Sequence, residues 1–375
     1  MAEKSPRGLA DVVAASTSIS DIDGREGRLF YRGYDIHDLA GRTSFEECVH
    51  LLQRGALPNQ QELEELRAQL AADRRIGPTT EALLPQVAQS GTPMEALRTL
   101  VSSLSADDPD AADSSSEAER RKATRLVAQM PVLVARYEAT RRGRPVLEPD
   151  SDLGIAGMFL QQITGERPEP RAAEIFDTCL LLHADHTMNA STFTARVIAA
   201  TLSDIHSAVT GAMGALRGPL HGGANEAVMN TLTSIEGDAS AVEAFVRAEL
   251  DAGRKLMGFG HRVYKTEDPR ATHLREMSKE LADITGNSRY YEFSRRMEQV
   301  VLETKGLYPN VDFFAASVYN ALGIPTDLFT PVFAVSRMSG WTAHVIEQHA
   351  DNRLIRPESD YVGPRDQRWV EISQR

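Results

Sequence analysis

The chain has 375 residues, of which 42% are hydrophobic and 25% charged, and its formal net charge is −12. This composition is typical of a globular protein, and the length favours about two domains. The excess of acid argues against a nucleic-acid partner and against an anionic membrane, because both need a basic face. The N-terminus has no apolar targeting segment, and no apolar run is long enough to span a bilayer. We therefore expect a cytoplasmic protein in which Cys48 and Cys179 are buried free thiols.

The first forty residues differ from the rest of the chain. Residues 8–40 are rich in Ser, Asp and Gly, which predicts short extended pieces at Val12–Val13 and Leu29–Tyr31. The turn residues between them are Gly24, Gly27 and Gly33. From Ser44, which forms a capping box with Glu47, the spacing of apolar residues becomes helical.

The helical spacing of apolar residues then continues, with interruptions, to about residue 349. Helices are predicted around 63–70 and at 94–105, 117–142, 153–164, 170–183, 191–213, 222–235, 239–255, 270–284, 288–304, 312–322 and 331–349. Pro131 should kink or divide the helix at 117–142. The acidic, Ser-rich stretch 107–119 predicts a solvated loop. The sequence therefore predicts a mainly α-helical protein with a small β element near the N-terminus.

The stretch Lys255–Arg270, KLMGFGHRVYKTEDPR, combines bare backbone with one imidazole and several cations. Gly258 and Gly260 allow the chain to approach a ligand closely, and His261 follows them directly. Such a segment suits an anionic molecule held beside a proton donor. The alternative is a glycine turn at the surface with a solvated basic flank.

Two further histidines stand in turn-like settings. In HADHTMNAST, His186 is placed to donate a hydrogen bond, although a metal site or a helix-terminal histidine bonded to backbone would also fit. In PLHGG, His221 precedes a helix N-terminus, whose dipole favours the neutral imidazole. A neutral imidazole can donate to a carbonyl oxygen that gains negative charge, and a capping histidine is the alternative.

One carboxylate and three arginines complete the candidate set. Asp312 begins an apolar helix, either as a capping residue or as a general base whose pKa is raised by aromatic neighbours. Arg337 lies in an apolar helix, where a buried guanidinium must have an anionic partner. Arg270, Arg337 and Arg356 together would suit a dicarboxylate, because the planar guanidinium binds both carboxylate oxygens. Arg356 alone would be a solvated surface charge.

Together these motifs resemble the citrate synthase family in its short bacterial and archaeal form. The matching stretches run in the family's order from about residue 8 to 363: GLADVVAASTSISDIDGREGRLFYRGYDI, HADHTMNASTFTARV, GALRGPLHGGANE, MGFGHRVYKTEDPRA, NVDFFAASVY, LFTPVFAVSRMSGWTAHVIEQ and NRLIRPESDY. The resemblance implies a two-domain helical fold with a large, dimer-forming domain at 1–217 and 323–375. It also implies a small CoA-binding domain at 218–322 that moves on closure.

The resemblance implies a reaction and a division of labour. The enzyme would be an acyltransferase of the citrate (Si)-synthase type, condensing acetyl-CoA with oxaloacetate and hydrolysing citryl-CoA to citrate and CoA. Asp312 would remove the methyl proton, His221 would bind the thioester oxygen, and His261 would polarise and protonate the oxaloacetate carbonyl. The oxaloacetate ligands would be His186, Arg270 and Arg337, with Arg356 from the other subunit of a homodimer. The CoA contacts would be the backbone of Gly258, Phe259 and Gly260 and the side chains of Lys265, Arg262 and Lys255.

Finer points stay open on the sequence alone. Asn310 is a candidate for orienting the site, and the short 186–191 loop leaves the roles of Asn189 and Ser191 undecided. Neither a metal nor a permanently bound cofactor is expected. The alternatives are a 2-methylcitrate synthase using propionyl-CoA, a non-catalytic protein that binds CoA or a dicarboxylate, and a metal-dependent lyase using the HADH cluster.

Overall fold

The computed structural model describes residues 7–9 and 12–375, and its β structure lies near the N-terminus. Strands β1 (Ser20–Asp23), β2 (Arg28–Tyr31) and β3 (Tyr34–Asp35) form an antiparallel sheet in that order. Ser20 pairs with Tyr31, and Leu29 and Tyr31 are buried against the helices. Alternation along β2 therefore fixes which face of the hairpin meets the core.

Helices follow for the remainder of the described chain. The first ten are α1 (Ile36–Leu39), α2 (Phe45–Arg54), α3 (Gln60–Ala72), α4 (Pro78–Ala88), α5 (Pro93–Ser103), α6 (Ser116–Arg141), α7 (Ile155–Thr164), α8 (Pro170–His183), α9 (Ala190–Ala199) and α10 (Ile205–Leu216). The last six are α11 (Ala224–Ser234), α12 (Ala239–Asp251), α13 (Pro269–Thr285), α14 (Arg289–Lys305), α15 (Val311–Ala321) and α16 (Phe329–Ala350). Short 3₁₀ helices lie at Arg7–Leu9, Leu104–Asp107, Thr326–Leu328 and Ile372–Gln374.

Helix α16 is the centre of the packing. It contacts α2, α5, α6, α8, α9, α10 and α11, and it is buried along most of its length. Helices α11 to α15 pack mainly on one another, with α15 against α11, α13 and α14. A helix that is apolar all round must be surrounded by others, so α16 joins the two groups of helices in one core.

The predicted helical fold with a small β element is confirmed, with several local differences, which include helices α1 and α4, where no helix is predicted. The helix predicted at 191–213 is wrong, because Asp204 caps a new helix by accepting from the Ser207 N–H at 2.9 Å. Pro131 does not divide α6, which runs unbroken from Ser116 to Arg141. The cost of one missing backbone hydrogen bond is offset there by burial of the helix on several sides. Val12–Val13 forms no strand, and both side chains are exposed.

Two further expectations concern the chain as a whole. Cys48 and Cys179 are free and buried, as the sequence predicts. Among the described residues, each helix is too short or too polar to cross a membrane. The large domain expected from the resemblance includes residues 1–6, 10 and 11, which lie outside the described part of the chain.

Candidate active site

The GFGH and NVD motifs are joined by a short backbone ladder. The Gly260 N–H donates to the Tyr308 carbonyl and the Asn310 N–H donates to the Gly258 carbonyl, each at 2.9 Å. The Asn310 side-chain amide also donates to the Gly260 carbonyl at 3.0 Å. Both glycines have positive φ, 85° at Gly258 and 75° at Gly260, which explains why glycine is needed there. The ladder brings His261 beside the start of α15.

His261 has its ring proton fixed by the backbone. The N–H groups of Val263 and Tyr264 donate to His261 Nδ1 at 3.0 and 3.2 Å, so the proton of the neutral ring is on Nε2. Burial, and then the charge of Arg270, lowers the pKa of His261 to about 4. At neutral pH this imidazole is therefore a neutral donor.

His186 faces His261 from the large group of helices. The two ring centroids are 5.2 Å apart, and His186 Nε2 lies 3.2 Å from the Tyr264 hydroxyl. Burial, and then the charge of Arg270, lowers the pKa of His186 well below its ordinary value. The HADH and GFGH motifs thus lie side by side, and Tyr264 contacts both histidines.

His221 is oriented by the start of α9. The Ser191 N–H donates to His221 Nε2 at 3.3 Å, and the Ser191 hydroxyl lies 2.8 Å from the same atom. Because a backbone N–H can only donate, Nε2 accepts and the ring proton is on Nδ1. Burial lowers the pKa of His221 to about 4, with a smaller effect from Arg337. The predicted neutral state is supported, and burial is its largest cause.

Asp312 occupies the first turn of α15 without capping it. The cap is Asn310, whose side chain accepts from the Asp312 N–H at 3.0 Å, so the capping interpretation of Asp312 is wrong. Asp312 is half-buried, and it is followed in the helix by the buried Phe313 and Phe314. Burial raises the pKa of Asp312 to about 7, against the opposing charge of Arg270. This carboxyl can therefore exchange a proton near neutral pH.

Arg270 is held by an acidic partner two residues earlier. Its Nε and Nη2 donate to the Asp268 carboxylate at 2.9 and 2.8 Å, and both side chains are buried. The other role of Asp268 is to accept from the Val311 N–H at 3.1 Å, which fixes the start of α15. Part of the Arg270 guanidinium is thus committed to the protein, and the remaining nitrogen is the one free to bind a ligand.

Arg337 is buried without a carboxylate partner among residues 7–9 and 12–375. Its Nε donates to the His183 carbonyl at 2.8 Å, and its guanidinium lies over the Phe333 ring at 4.6 Å. Burial lowers the pKa of Arg337 to about 10. The sequence predicts an anionic partner for this group, and the described part of the protein provides none within ion-pair distance. An anionic ligand would satisfy it.

The remaining cations are not assembled with this cluster. Lys255, Arg262 and Lys265 are exposed and form no ion pair with the described residues. Arg356 is likewise exposed, in the segment that follows α16. Within one chain, therefore, the cluster contains the three histidines, Asp312 and two arginines, and these four exposed cations lie outside it.

The HADH turn is built from groups that bind one another. Asp185 accepts from the Ser20 hydroxyl and from the Thr187 N–H, and His183 Nδ1 contacts the Cys179 carbonyl at 2.8 Å. Among the described residues, no three His, Cys, Asp or Glu side chains are arranged to hold a metal ion. The Asp185 carboxylate therefore accepts hydrogen bonds from protein groups. This is a structural role, different from the metal-binding role that the sequence also allows.

Several residues of the site were missed from sequence. They are Tyr264, Asp268 and Phe333, together with Trp341, whose Nε1 donates to the Ser191 hydroxyl at 3.1 Å. Asp268 offered a signal, since an acid two residues before Arg270 at a helix start is placed to pair with it. Asn189 and Ser191, left undecided by the sequence, cap α9 and orient His221 respectively.

The site therefore contains a titratable carboxyl, two neutral imidazole donors and a buried guanidinium with no carboxylate partner among the described residues. Such groups are typical of an enzyme that activates carbonyl compounds by acid–base chemistry. Comparison with known proteins specifies the class. The family model described as citrate synthase, C-terminal domain, matches residues 8–358. The chain belongs to the citrate synthase family.

Individual relatives agree with this assignment. Citrate synthase 2 of Bacillus subtilis is 53% identical over 98% of this chain and 99% of its own length. A 2-methylcitrate synthase of Mycobacterium tuberculosis is 42% identical over 95% and 90%. The crystal structure of citrate synthase from Pyrobaculum aerophilum is 41% identical with a TM-score of 0.91, covering 98% of this chain and 95% of that one. A ternary complex of the Thermoplasma acidophilum enzyme with carboxymethyl coenzyme A and oxaloacetate is 32% identical with a TM-score of 0.89, covering 97% and 98%.

Proposed function

We propose that this protein condenses acetyl-CoA with oxaloacetate and hydrolyses the resulting citryl-CoA to citrate and CoA. The observation that carries the proposal is the buried guanidinium of Arg337, which has no carboxylate partner in the described chain and lies among His186, His221 and Asp312. A diacid would neutralise this charge and place its keto group between the imidazoles. The names of the relatives supply the substrate identities.

The first step forms a carbon nucleophile. Ionised Asp312 removes a proton from the methyl group of acetyl-CoA, while His221 Nδ1–H donates to the thioester oxygen that gains the charge. Such a donor typically contributes about 3–4 kcal/mol to the transition state. A carboxylate whose pKa is about 7 is a stronger base than an ordinary aspartate, yet it is ionised in half the molecules at that pH.

The second step forms the carbon–carbon bond. The enol carbon attacks the keto carbon of oxaloacetate, the C=O pair of electrons moves to oxygen, and His261 Nε2–H delivers the proton that the new alkoxide needs. Water then cleaves the thioester of citryl-CoA, giving a carboxylate and free CoA thiol. His186, Arg270 and Arg337 hold the diacid throughout, and this orientation supplies much of the acceleration.

The proposed domains fit this order of events. We assign residues 1–217 and 323–375 to a large domain and 218–322 to a small domain that closes over the diacid. His221 and Asp312 lie near the two borders, and α11 to α15 pack mainly on one another. Closure would exclude water during enolisation and complete the acyl-CoA site, which is an induced-fit sequence.

A homodimer with Arg356 supplied in trans completes the proposal. Arg356 lies in an exposed segment without a helix, and the same segment exposes large apolar side chains, including Tyr361, Val362 and Trp369. Apolar groups displayed together in this way are typical of a surface covered by another chain. The proposed CoA contacts are the backbone at 258–260, with Lys265, Arg262 and Lys255 facing the phosphates.

A 2-methylcitrate synthase is the second candidate, because a relative with that name is 42% identical. One additional methylene changes transition-state binding by about 1–3 kcal/mol, so both thioesters should react at different rates. The test is CoA release, measured with a thiol reagent, in the presence of oxaloacetate and either acetyl-CoA or propionyl-CoA. A higher kcat/KM for acetyl-CoA supports the proposal, and the reverse would assign 2-methylcitrate.

The same assay distinguishes the remaining classes. Loss of turnover with a chelator would support the metal-dependent lyase. Binding of both substrates without CoA release would support a non-catalytic protein.

A further inference from the structure

Behind the HADH turn lies a buried row of polar side chains that the reaction does not use. Asp185 and His344 are fully buried, and Arg196 is 3% exposed. Arg196 Nη1 is 3.0 Å from His344 Nδ1, and His344 Nε2 is 3.3 Å from the Asp185 carboxylate. The row therefore runs from α9 through α16 to the turn that carries His186.

The direction of each hydrogen bond is fixed by chemistry. A guanidinium nitrogen can only donate, so His344 Nδ1 accepts from Arg196 and the ring proton is on Nε2. That proton is then available to the Asp185 carboxylate. An arginine thus selects the imidazole tautomer that Asp185 requires.

Asp185 in turn holds a strained backbone. Thr187 has a φ of 48°, which is unfavourable for a β-branched residue. The Thr187 N–H donates to Asp185 Oδ2 at 3.1 Å, and the Tyr31 hydroxyl donates to the Asp185 carbonyl at 2.9 Å. His186 lies between these two anchored residues. Its direction toward His261 therefore depends on the Asp185 carboxylate, together with the Ser20 hydroxyl, which also accepts from the Thr187 N–H at 3.1 Å.

The other end of the row is fixed on α16. Arg196 Nη1 donates to Glu347 at 2.7 Å, and its Nε donates to Gln348 at 3.0 Å. Glu347 also accepts from the Ser18 N–H at 2.8 Å, just before β1. The close approach of α16 to the turn is permitted by Gly340, where a Cβ would meet Asp185 Oδ1 at 2.5 Å.

We propose that Arg196 and His344 are positioning residues for diacid binding, acting through Asp185 and the strained Thr187 backbone to hold His186 toward the cleft. This inference depends on the proposed function in one respect, that His186 binds the diacid. It adds a set of groups that touch no substrate and nevertheless set its affinity.

Two amide substitutions at position 344 test the two hydrogen bonds of His344 separately, the one from Arg196 and the one to Asp185. His344→Asn places an acceptor near Nδ1 for Arg196 but does not reach Asp185, whereas His344→Gln places a donor near Nε2. Loss of a hydrogen bond to a charged group predicts that His344→Asn weakens oxaloacetate binding about tenfold, with KM for oxaloacetate rising in parallel. His344→Gln should stay within about threefold of the parent, and KM for acetyl-CoA should change less than about twofold in both.

Direct binding of oxaloacetate to the full chain, measured by calorimetry without acetyl-CoA, provides the main comparison. Equal effects of the two amides, no effect of either, or equal rises in KM for both substrates would overturn the inference, since a purely structural role predicts no preference for Gln. If His344→Asn does not fold, Arg196→Met replaces it, because methionine keeps the length of the side chain and removes the donor to His344 Nδ1. An unchanged oxaloacetate Kd in that variant also overturns the inference. A parent protein that neither binds oxaloacetate nor releases CoA contradicts the proposed function instead.

Discussion

At the proposed diacid end of the site, His186, Arg270 and Arg337 are buried and each is fixed by a protein partner. At the CoA end, Lys255 and Lys265 are exposed and pair with no described residue. A prebuilt site loses little conformational entropy on binding, whereas exposed side chains must be ordered by the ligand. We therefore expect oxaloacetate to bind to an existing site and the acyl-CoA site to be completed afterwards. Substitutions should therefore have large, salt-independent effects at the first end and small, salt-dependent ones at the second.

The largest effect is expected at Asp312, which lies between the two ends. Asp312→Asn removes the base while keeping the shape, so kcat should fall about 10³-fold with little change in KM for oxaloacetate. Burial raises the pKa of Asp312 to about 7, so ionising it at pH 8 costs stability, and the amide should melt no lower than the parent. CoA release and thermal denaturation at pH 8 measure both. Full turnover in this variant would contradict the mechanism and the comparison built on it.

The pH dependence gives the next largest effect and needs no substitution. Asp312 acts as a base only when ionised, and its pKa is about 7, whereas His221 and His261 have a pKa of about 4 and stay neutral above pH 5. The value of kcat/KM should therefore fall tenfold for each unit below pH 7, reaching about 100-fold at pH 5. A profile with a single slope of one on the acidic side is expected. A limiting pKa near 4 would show that Asp312 is an ordinary exposed carboxylate.

The sequence predicts the reactive side chains of the site better than the backbone contacts and helix caps that hold them in place. The motifs around His221, His261 and Asp312 could be found because turns and helix starts leave a local pattern of Gly, Pro and Asn. The backbone ladder between Gly258 and Asn310 could not be predicted, because pairing between segments about fifty residues apart leaves no pattern in the local sequence. The break between α9 and α10 was missed for a different reason. The apolar spacing continues on both sides of it, and only the capping hydrogen bond of Asp204 shows that a new helix begins there.

The same limit applies to electrostatics. A buried arginine in an apolar helix is visible from sequence, and Arg337 is buried as expected. The sequence does not show that Arg270 has Asp268 as a partner while Arg337 has only a carbonyl, since this depends on packing. We therefore expect Arg337 to be the stronger anchor for a substrate carboxylate.

Arg337 tests the prebuilt end directly. Arg337→Gln keeps a donor but removes the charge, and loss of a charged hydrogen bond should raise KM for oxaloacetate about thirtyfold. KM for acetyl-CoA, measured at saturating oxaloacetate, should change little. Arg337→Lys serves as the matched control, because it keeps the charge without the planar fork and should give a smaller rise. Equal rises in both variants would indicate that the fork, and not the charge, binds the diacid.

Two glycines test the backbone that links the ends. Gly258 and Gly260 both have positive φ, but a Cβ at Gly258 would meet Val228 at 2.7 Å and Phe313 at 2.9 Å, whereas at Gly260 it would meet only Leu307, at 3.8 Å. Each alanine should cost about 1 kcal/mol for the backbone alone. Gly258→Ala should lower the free energy of unfolding further and raise KM for acetyl-CoA about tenfold, against about fourfold for Gly260→Ala. Denaturant unfolding and steady-state kinetics check the order, which equal values would contradict.

The smallest effect is expected at Lys265, on the exposed end of the cleft. An exposed ion pair contributes roughly 0.2–1 kcal/mol, so Lys265→Ala should raise KM for acetyl-CoA about threefold and leave kcat and KM for oxaloacetate unchanged. Because the interaction is screened by solvent ions, the rise should shrink between low salt and about 0.5 M salt. Lys279→Ala removes another exposed lysine, on α13, and should leave KM unchanged at either salt concentration. A large rise that persists at high salt would place Lys265 in a closed, desolvated pocket, and the CoA end would then be as prebuilt as the diacid end.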